Sequence, residues 1–189
     1  MDDSSRSIYK SIWLPIRLAL LMLLFFLVSR YLDLDLNFLG NRPRSLEGLA
    51  GILFAPLIHA GWLHLISNLS PLLFLGTMVY WFYPTIGQAI FLRSYFLPSI
   101  LVWILAKEGL HLGASGMIYG LAFFLIFYGF FRKDMRSLVI SIVIVIFYGG
   151  LFYGVLPGQP GVSWQYHLAG AVTGLMSAFE FSEVVFKKN

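Results

Sequence analysis

Long charge-free stretches, divided by short polar or glycine- and proline-containing breaks, set the pattern of this chain. Gly48 to Leu92 runs 45 residues without Asp, Glu, Lys or Arg, Gly109 to Phe131 runs 23, and Ser137 to Phe179 runs 43. A helix that crosses a bilayer needs about 20 mostly apolar residues, so each of the two longer runs has room for two passes. The divisions fall at YPTIG (83–87) and PGQPG (157–161), where proline and glycine interrupt a helix. Spans are therefore predicted at Ser11–Arg30, Gly61–Phe82, Gln88–Ala106, Ser115–Phe131, Ser137–Leu156 and Trp164–Phe181. Arg17 lies near one end of the first span, where its stem can snorkel. That span lacks a small-residue cleavage site and is expected to stay as an anchor. Between the first two spans, 33–56 reads as a loop of mixed polarity whose apolar end, LAGILFAP, is expected at the membrane interface.

Composition supports the same picture. The chain is 59% hydrophobic and 12% charged, whereas a soluble domain is about half apolar and about a quarter charged. Mean hydropathy is +0.81. The expectation is an all-α polytopic membrane protein forming one domain over 1–189: a cytoplasmic N-terminus at 1–10, a six-helix core at 11–186 and a cytoplasmic tail at 187–189. No cysteine is present, which removes disulfides, cysteine nucleophiles, thiolate metal sites and iron–sulfur clusters. The net charge of +4 reports topology rather than nucleic-acid binding, since no basic tract is long enough for that. With the N-terminus in the cytoplasm, nine Lys and Arg residues fall on the cytoplasmic side (6, 10, 17, 93, 132, 133, 136, 187, 188) and four outside (30, 42, 44, 107). The positive-inside rule then favours both termini in the cytoplasm.

Polar residues within spans tend to face the bundle interior and mark function. The candidates are His59, His64, Asn68, His111, Ser115, Tyr119 and His167, and in this topology all lie toward the outer ends of their spans. In HLGASGMIYG (111–120), Gly113 and Gly116 allow the backbone to turn sharply into a helix beginning near Ser115. Free N–H groups and the positive end of the helix dipole gather there, a setting that can stabilise an oxyanion. Tyr119 follows on the same face. Alone, the stretch reads more readily as a helix cap at the serine with packing glycines. In HAGWLHLISN (59–68), His64 and Asn68 share a helix face and can both donate hydrogen bonds, to an oxyanion or to a neighbouring helix. In HLAGAVTG (167–174), Gly170 and Gly174 form a face that permits close helix contact. His167 lies near one end of that face, where it can serve as a general base or stand as an isolated core histidine. Together the three stretches supply a nucleophile, a base, oxyanion donors and a packing device at one depth.

These motifs, in this order and spacing, resemble the rhomboid family of intramembrane serine proteases over roughly 55–180. The resemblance implies a Ser115–His167 dyad without an acidic third member. It implies an oxyanion hole from the Ser115 backbone N–H with the His64 and Asn68 side chains. Tyr119 would pack on the catalytic histidine and His59 would be structural. No cofactor or metal is implied; the partners would be transmembrane protein substrates within the lipid bilayer, the location a bacterial cytoplasmic membrane, and the form a minimal one without a soluble N-terminal domain. Two departures stand out: Tyr166 occupies a position where many relatives have a small residue, and the first loop has no clear Trp-Arg pair, Arg42 and Arg44 being unassigned to that role.

Other chemistries fit less well. There is no H-E-x-x-H for a zinc protease and no Gly-Asp pair or mid-span aspartate for an aspartyl protease. A histidine metal site would have no carboxylate or thiolate partner. A proton-coupled transporter would normally carry an intramembrane carboxylate, and Glu180 and Glu183 fall at the cytoplasmic end. The alternative from another class is a catalytically inactive rhomboid-like protein that binds transmembrane helices; such relatives usually lose the serine or the histidine, and both are present.

Overall fold

The computed structural model describes residues 8–158 and 161–186. The predicted cytoplasmic tail at 187–189, most of the predicted N-terminal segment, and positions 159 and 160 of the PGQPG break lie outside the described residues. Apart from two short 3-10 turns and one isolated antiparallel pairing, the regular structure among the described residues is α-helical. The helices are α1 (Ile8–Tyr31), α2 (Leu49–Phe54), α3 (Trp62–Phe82), α4 (Gly87–Leu105), α5 (Ser115–Arg132), α6 (Met135–Tyr148), α7 (Leu151–Gly154) and α8 (Trp164–Phe186). Four of them, α1, α3, α4 and α5, are long and apolar enough to cross a membrane, which marks an integral membrane protein.

The predicted span Ser137–Leu156 differs from what is seen. Its helix, α6, ends at Tyr148, and a separate turn, α7, follows the pair Gly149–Gly150. Glycine is apolar and passes unnoticed in a hydropathy pattern, yet each costs a helix about 1 kcal/mol relative to alanine. Both keep right-handed helical dihedrals, and the α-helical bonding gives way there to tighter i to i+3 bonds, Phe152 N–H to the Gly149 carbonyl and Tyr153 N–H to the Gly150 carbonyl. The apolar end of the first loop does not lie loose either. It forms α2, held by the Tyr95 hydroxyl on α4, which donates to the Leu53 carbonyl at 2.6 Å.

Helix α5 is the centre of the bundle. It packs against α3, α4, α6 and α8, and its residues 116–126 are all buried. Apolar burial does not drive helices together in lipid as it does in water, so close backbone approach matters more. The α5–α8 contact is built on glycine. A Cβ on Gly170 would stand on the Gly116 carbonyl oxygen and 2.8 Å from the Tyr119 Cβ; one on Gly174 would stand on the Gly120 carbonyl oxygen and 2.7 Å from the Phe124 nitrogen. On the far side of the bundle, Gly76 of α3 receives the Pro15 ring of α1, which lies 2.9 Å from where a Cβ would be.

The turn from α5 to α6 is tight for a visible reason. Lys133 takes the left-handed conformation, φ 58°, that ends α5. Asp134 then caps α6, accepting from the Ser137 N–H at 3.0 Å. The first loop is fastened from outside itself. Trp103 of α4 donates its indole N–H to the Ser45 carbonyl at 2.9 Å, the Arg44 N–H donates to the Trp103 carbonyl at 2.9 Å, and Arg42 pairs with Glu47 at 3.0 Å. The tryptophan that anchors this loop thus comes from a helix, and Arg42 is paired within the loop.

Candidate active site

The loop 109–114 delivers the chain into α5. Gly113 has φ +95°, a conformation that L side chains rarely adopt, and a Cβ there would lie 2.5 Å from His64 Nε2 and 2.8 Å from its Cε1. Its N–H donates to the Ala55 carbonyl at 2.9 Å. The next residue is held by His59, whose Nε2 accepts from the Ala114 N–H at 3.4 Å while its Nδ1 lies 3.2 Å from the Leu57 carbonyl. A carbonyl only accepts, so Nδ1 carries the proton and the ring is neutral. With both ring nitrogens engaged by backbone, His59 has no lone pair left for a metal.

The cap position of α5 is Ala114, and Ser115 is the first helical residue. The simple cap expected of Ser115 is therefore replaced by a serine standing among the free N–H groups of the first turn, of which the first to bond within the helix is that of Ile118, to the Ala114 carbonyl.

His167 lies in the first turn of α8. Its ring stacks on Tyr119, with centroids 4.2 Å apart and planes 11° from parallel. Its Nδ1 lies 3.0 Å from the Gly154 carbonyl oxygen. The same logic puts the proton on Nδ1 and leaves Nε2 of the neutral ring with its lone pair. Gly154 is essential to this arrangement, because a Cβ there would stand on the Tyr119 hydroxyl and 3.3 Å from His167 Nδ1.

A cavity of about 720 Å³ opens at this level, and Ser115, His167, His64, Asn68 and Tyr119 all line it. Asn68 Nδ2 donates to the His64 carbonyl at 2.7 Å, which leaves its second N–H free of that bond. Two other grooves, beside α4 and α8 and along α3, are lined mostly by apolar side chains. The structure therefore brings together the residues singled out in the sequence: six line the cavity, His111 among them, Gly113 and His59 shape the turn before the serine, and Gly116, Gly170 and Gly174 form the helix contact. The bulk of Tyr166 is accommodated. Its ring is fully buried against Gly116, where a built Cβ would be 2.7 Å away, and its hydroxyl bonds Ser99 Oγ at 2.7 Å. Successive helix residues point about 100° apart, so Tyr166 turns to α4 while His167 turns to Tyr119.

Two contributors escaped the sequence. Gly154 acts through its carbonyl, which no residue type announces; the one signal available was the cluster of Gly149, Gly150 and Gly154 inside a span expected to be continuous. Ser163 lies at the entrance to α8 and pairs with His111 Nδ1; nothing in the sequence links positions so far apart.

The sequence matches the family model described as Rhomboid domain over residues 47–183. An uncharacterized protein of Mycobacterium tuberculosis is 39% identical over 166 residues, covering 79% of this chain and 65% of its own length. An uncharacterized protein of Mycobacterium leprae is 36% identical over 164 residues, covering 79% of this chain and 62% of its own. The chain thus spans less than two thirds of the length of these relatives.

Proposed function

Because this chain belongs to the rhomboid family, we propose that it is an intramembrane serine endopeptidase that hydrolyses peptide bonds in or beside transmembrane segments of other membrane proteins. In this proposal α1, α3, α4, α5, α6 with α7, and α8 are six passes of a single domain, with both termini in the cytoplasm of a bacterial cell. The cavity then opens toward the outer side, from which water enters.

Ser115 Oγ attacks the scissile carbonyl carbon as His167 Nε2 takes its proton. The tetrahedral oxyanion accepts hydrogen bonds from the Ser115 N–H and from His64 and Asn68. Collapse breaks the C–N bond, and His167 returns the proton to the leaving amine. Water then adds to the acyl-enzyme with His167 again as base, which frees Ser115 and releases the acid product. Gly154 holds the imidazole in the required tautomer, the task a carboxylate performs in a full triad. The observation that most supports this mechanism is the His167 ring, stacked on Tyr119 and bonded through Nδ1 to Gly154, in a cavity that Ser115 also lines.

The test is labelling by a fluorophosphonate, followed by cleavage of a transmembrane substrate in proteoliposomes. Wild-type protein is expected to label and cleave, Ser115→Ala to do neither, and His167→Ala to lose cleavage while still inserting. Folded wild-type protein that neither labels nor cleaves would point instead to a helix-binding protein without catalysis.

A further inference from the structure

We infer that a closed hydrogen-bonded ring through Asn41, His111, Ser163, Tyr166 and Ser99 is the positioning device that sets His167 against Ser115. The inference rests on the proposed hydrolysis and assigns to it residues that do not touch the reacting atoms.

The ring is continuous. Asn41 and His111 exchange both backbone hydrogen bonds, at 3.0 and 2.9 Å. His111 Nδ1 pairs with Ser163 Oγ. Ser163 Oγ accepts from the Tyr166 N–H at 3.4 Å, and the Ser163 carbonyl accepts from the N–H groups of Tyr166 at 3.0 Å and His167 at 3.1 Å. The Tyr166 hydroxyl bonds Ser99 Oγ at 2.7 Å, and Asn41 Nδ2 donates to the Ser99 carbonyl at 2.7 Å, which closes the circuit.

Its members come from the first loop, the loop that enters α5, the start of α8, and α4. Asn41, Ser99 and Tyr166 are fully buried and His111 nearly so. Burying polar groups is unfavourable unless they are bonded. The groups that close the ring are bonded, while Asn41 Oδ1 and His111 Nε2 are buried without a partner among the described residues, so breaking a ring bond would add to polar atoms already left unpaired. The glycine-built α5–α8 contact has no such directionality, since small residues permit sliding. The ring supplies it where it matters. His111 stands four residues before Ser115, and Ser163 four residues before His167. Tyr166 touches both sides, being the residue before His167 while its ring packs on Gly116, the residue after Ser115. A shift anywhere in the ring therefore moves the base relative to the nucleophile.

Two substitutions at His111 separate positioning from mere filling. An asparagine amide reaches the place of Nδ1 and can still bond Ser163; a glutamine amide reaches the place of Nε2 and cannot. His111→Asn is expected to cleave a transmembrane substrate within about twofold of wild type. His111→Gln is expected to lose about tenfold in kcat with KM unchanged and a thermal midpoint matching that of His111→Asn, the kind of loss a small misplacement of reacting groups produces. Across the ring, Tyr166→Phe and Ser99→Ala should each lower kcat, and the double variant should be no slower than the worse single, because both remove one bond. Equal rates for His111→Asn and His111→Gln, or strictly multiplicative losses for Tyr166→Phe and Ser99→Ala, would overturn the ring while leaving hydrolysis intact. A folded wild-type protein without activity would overturn both.

Discussion

Gly154→Ala tests the site at its most constrained point. The added methyl would stand on the Tyr119 hydroxyl, 3.0 Å from Tyr119 Cζ and 3.3 Å from His167 Nδ1, whereas unstrained carbon contacts lie at about 3.5–4.0 Å. Relief can come in two ways. Tyr119 can swing away, which opens the stack against His167, or the α7 backbone can retreat, which takes the Gly154 carbonyl from Nδ1. Either moves the imidazole by on the order of 1 Å. A displacement of that size costs about 100-fold in rate, or about 2.7 kcal/mol of transition-state stabilisation. The comparison is Gly150→Ala, four residues earlier in the same segment, where φ is −58° and nothing lies within 4 Å of the new methyl. Initial rates of cleavage of a fluorogenic transmembrane substrate in proteoliposomes should fall about 100-fold in Gly154→Ala and stay within about twofold in Gly150→Ala. A Gly154→Ala protein that cleaves as fast as wild type would refute the role given to that carbonyl.

Asn68→Ala is expected to lower kcat by up to about 100-fold if it donates to the oxyanion; an unchanged kcat removes it from that role. Gly174→Ala forces its methyl against the α5 backbone and should reduce stability by about 1–3 kcal/mol, read as unfolding in graded SDS; an unchanged transition would mean that α5 and α8 separate freely. His59→Leu removes the ring that accepts from the Ala114 N–H and packs beside His64. Leaving that buried donor unbonded should cost about 1–3 kcal/mol, read as a lower thermal midpoint, and an unchanged midpoint would contradict its structural role.

Helix positions were legible because span length and charge-free runs constrain each other. Predicted starts at Ser115 and Trp164 coincide with those of α5 and α8, and α3 and α4 each begin within one residue of expectation. The error at α6 has a clear origin: a glycine pair is silent in hydropathy but not in backbone preference. The residues that line the cavity could be picked out in the sequence because they are polar side chains in apolar surroundings and their spacing follows helix periodicity. What stayed hidden was carried by backbone or by distant pairs. The partner of His167 Nδ1 is a peptide carbonyl. The His111–Ser163 and Ser99–Tyr166 bonds join positions 52 and 67 residues apart. The fit of Tyr166 could have been foreseen from helix geometry alone, since its neighbour necessarily points elsewhere.

The brevity of α6 has a consequence for the lipid around it. Its 14 residues rise only about 21 Å at 1.5 Å per residue, against a hydrocarbon core of about 30 Å. In the proposed six-pass arrangement the rest of that pass falls to Gly149, Gly150 and α7 (Leu151–Gly154). The same short segment that would complete the crossing also carries the Gly154 carbonyl against His167. A bilayer too thick for α6 would therefore pull on the segment that orients the imidazole, since lipid and protein share a mismatch at a fraction of a kcal/mol per Å.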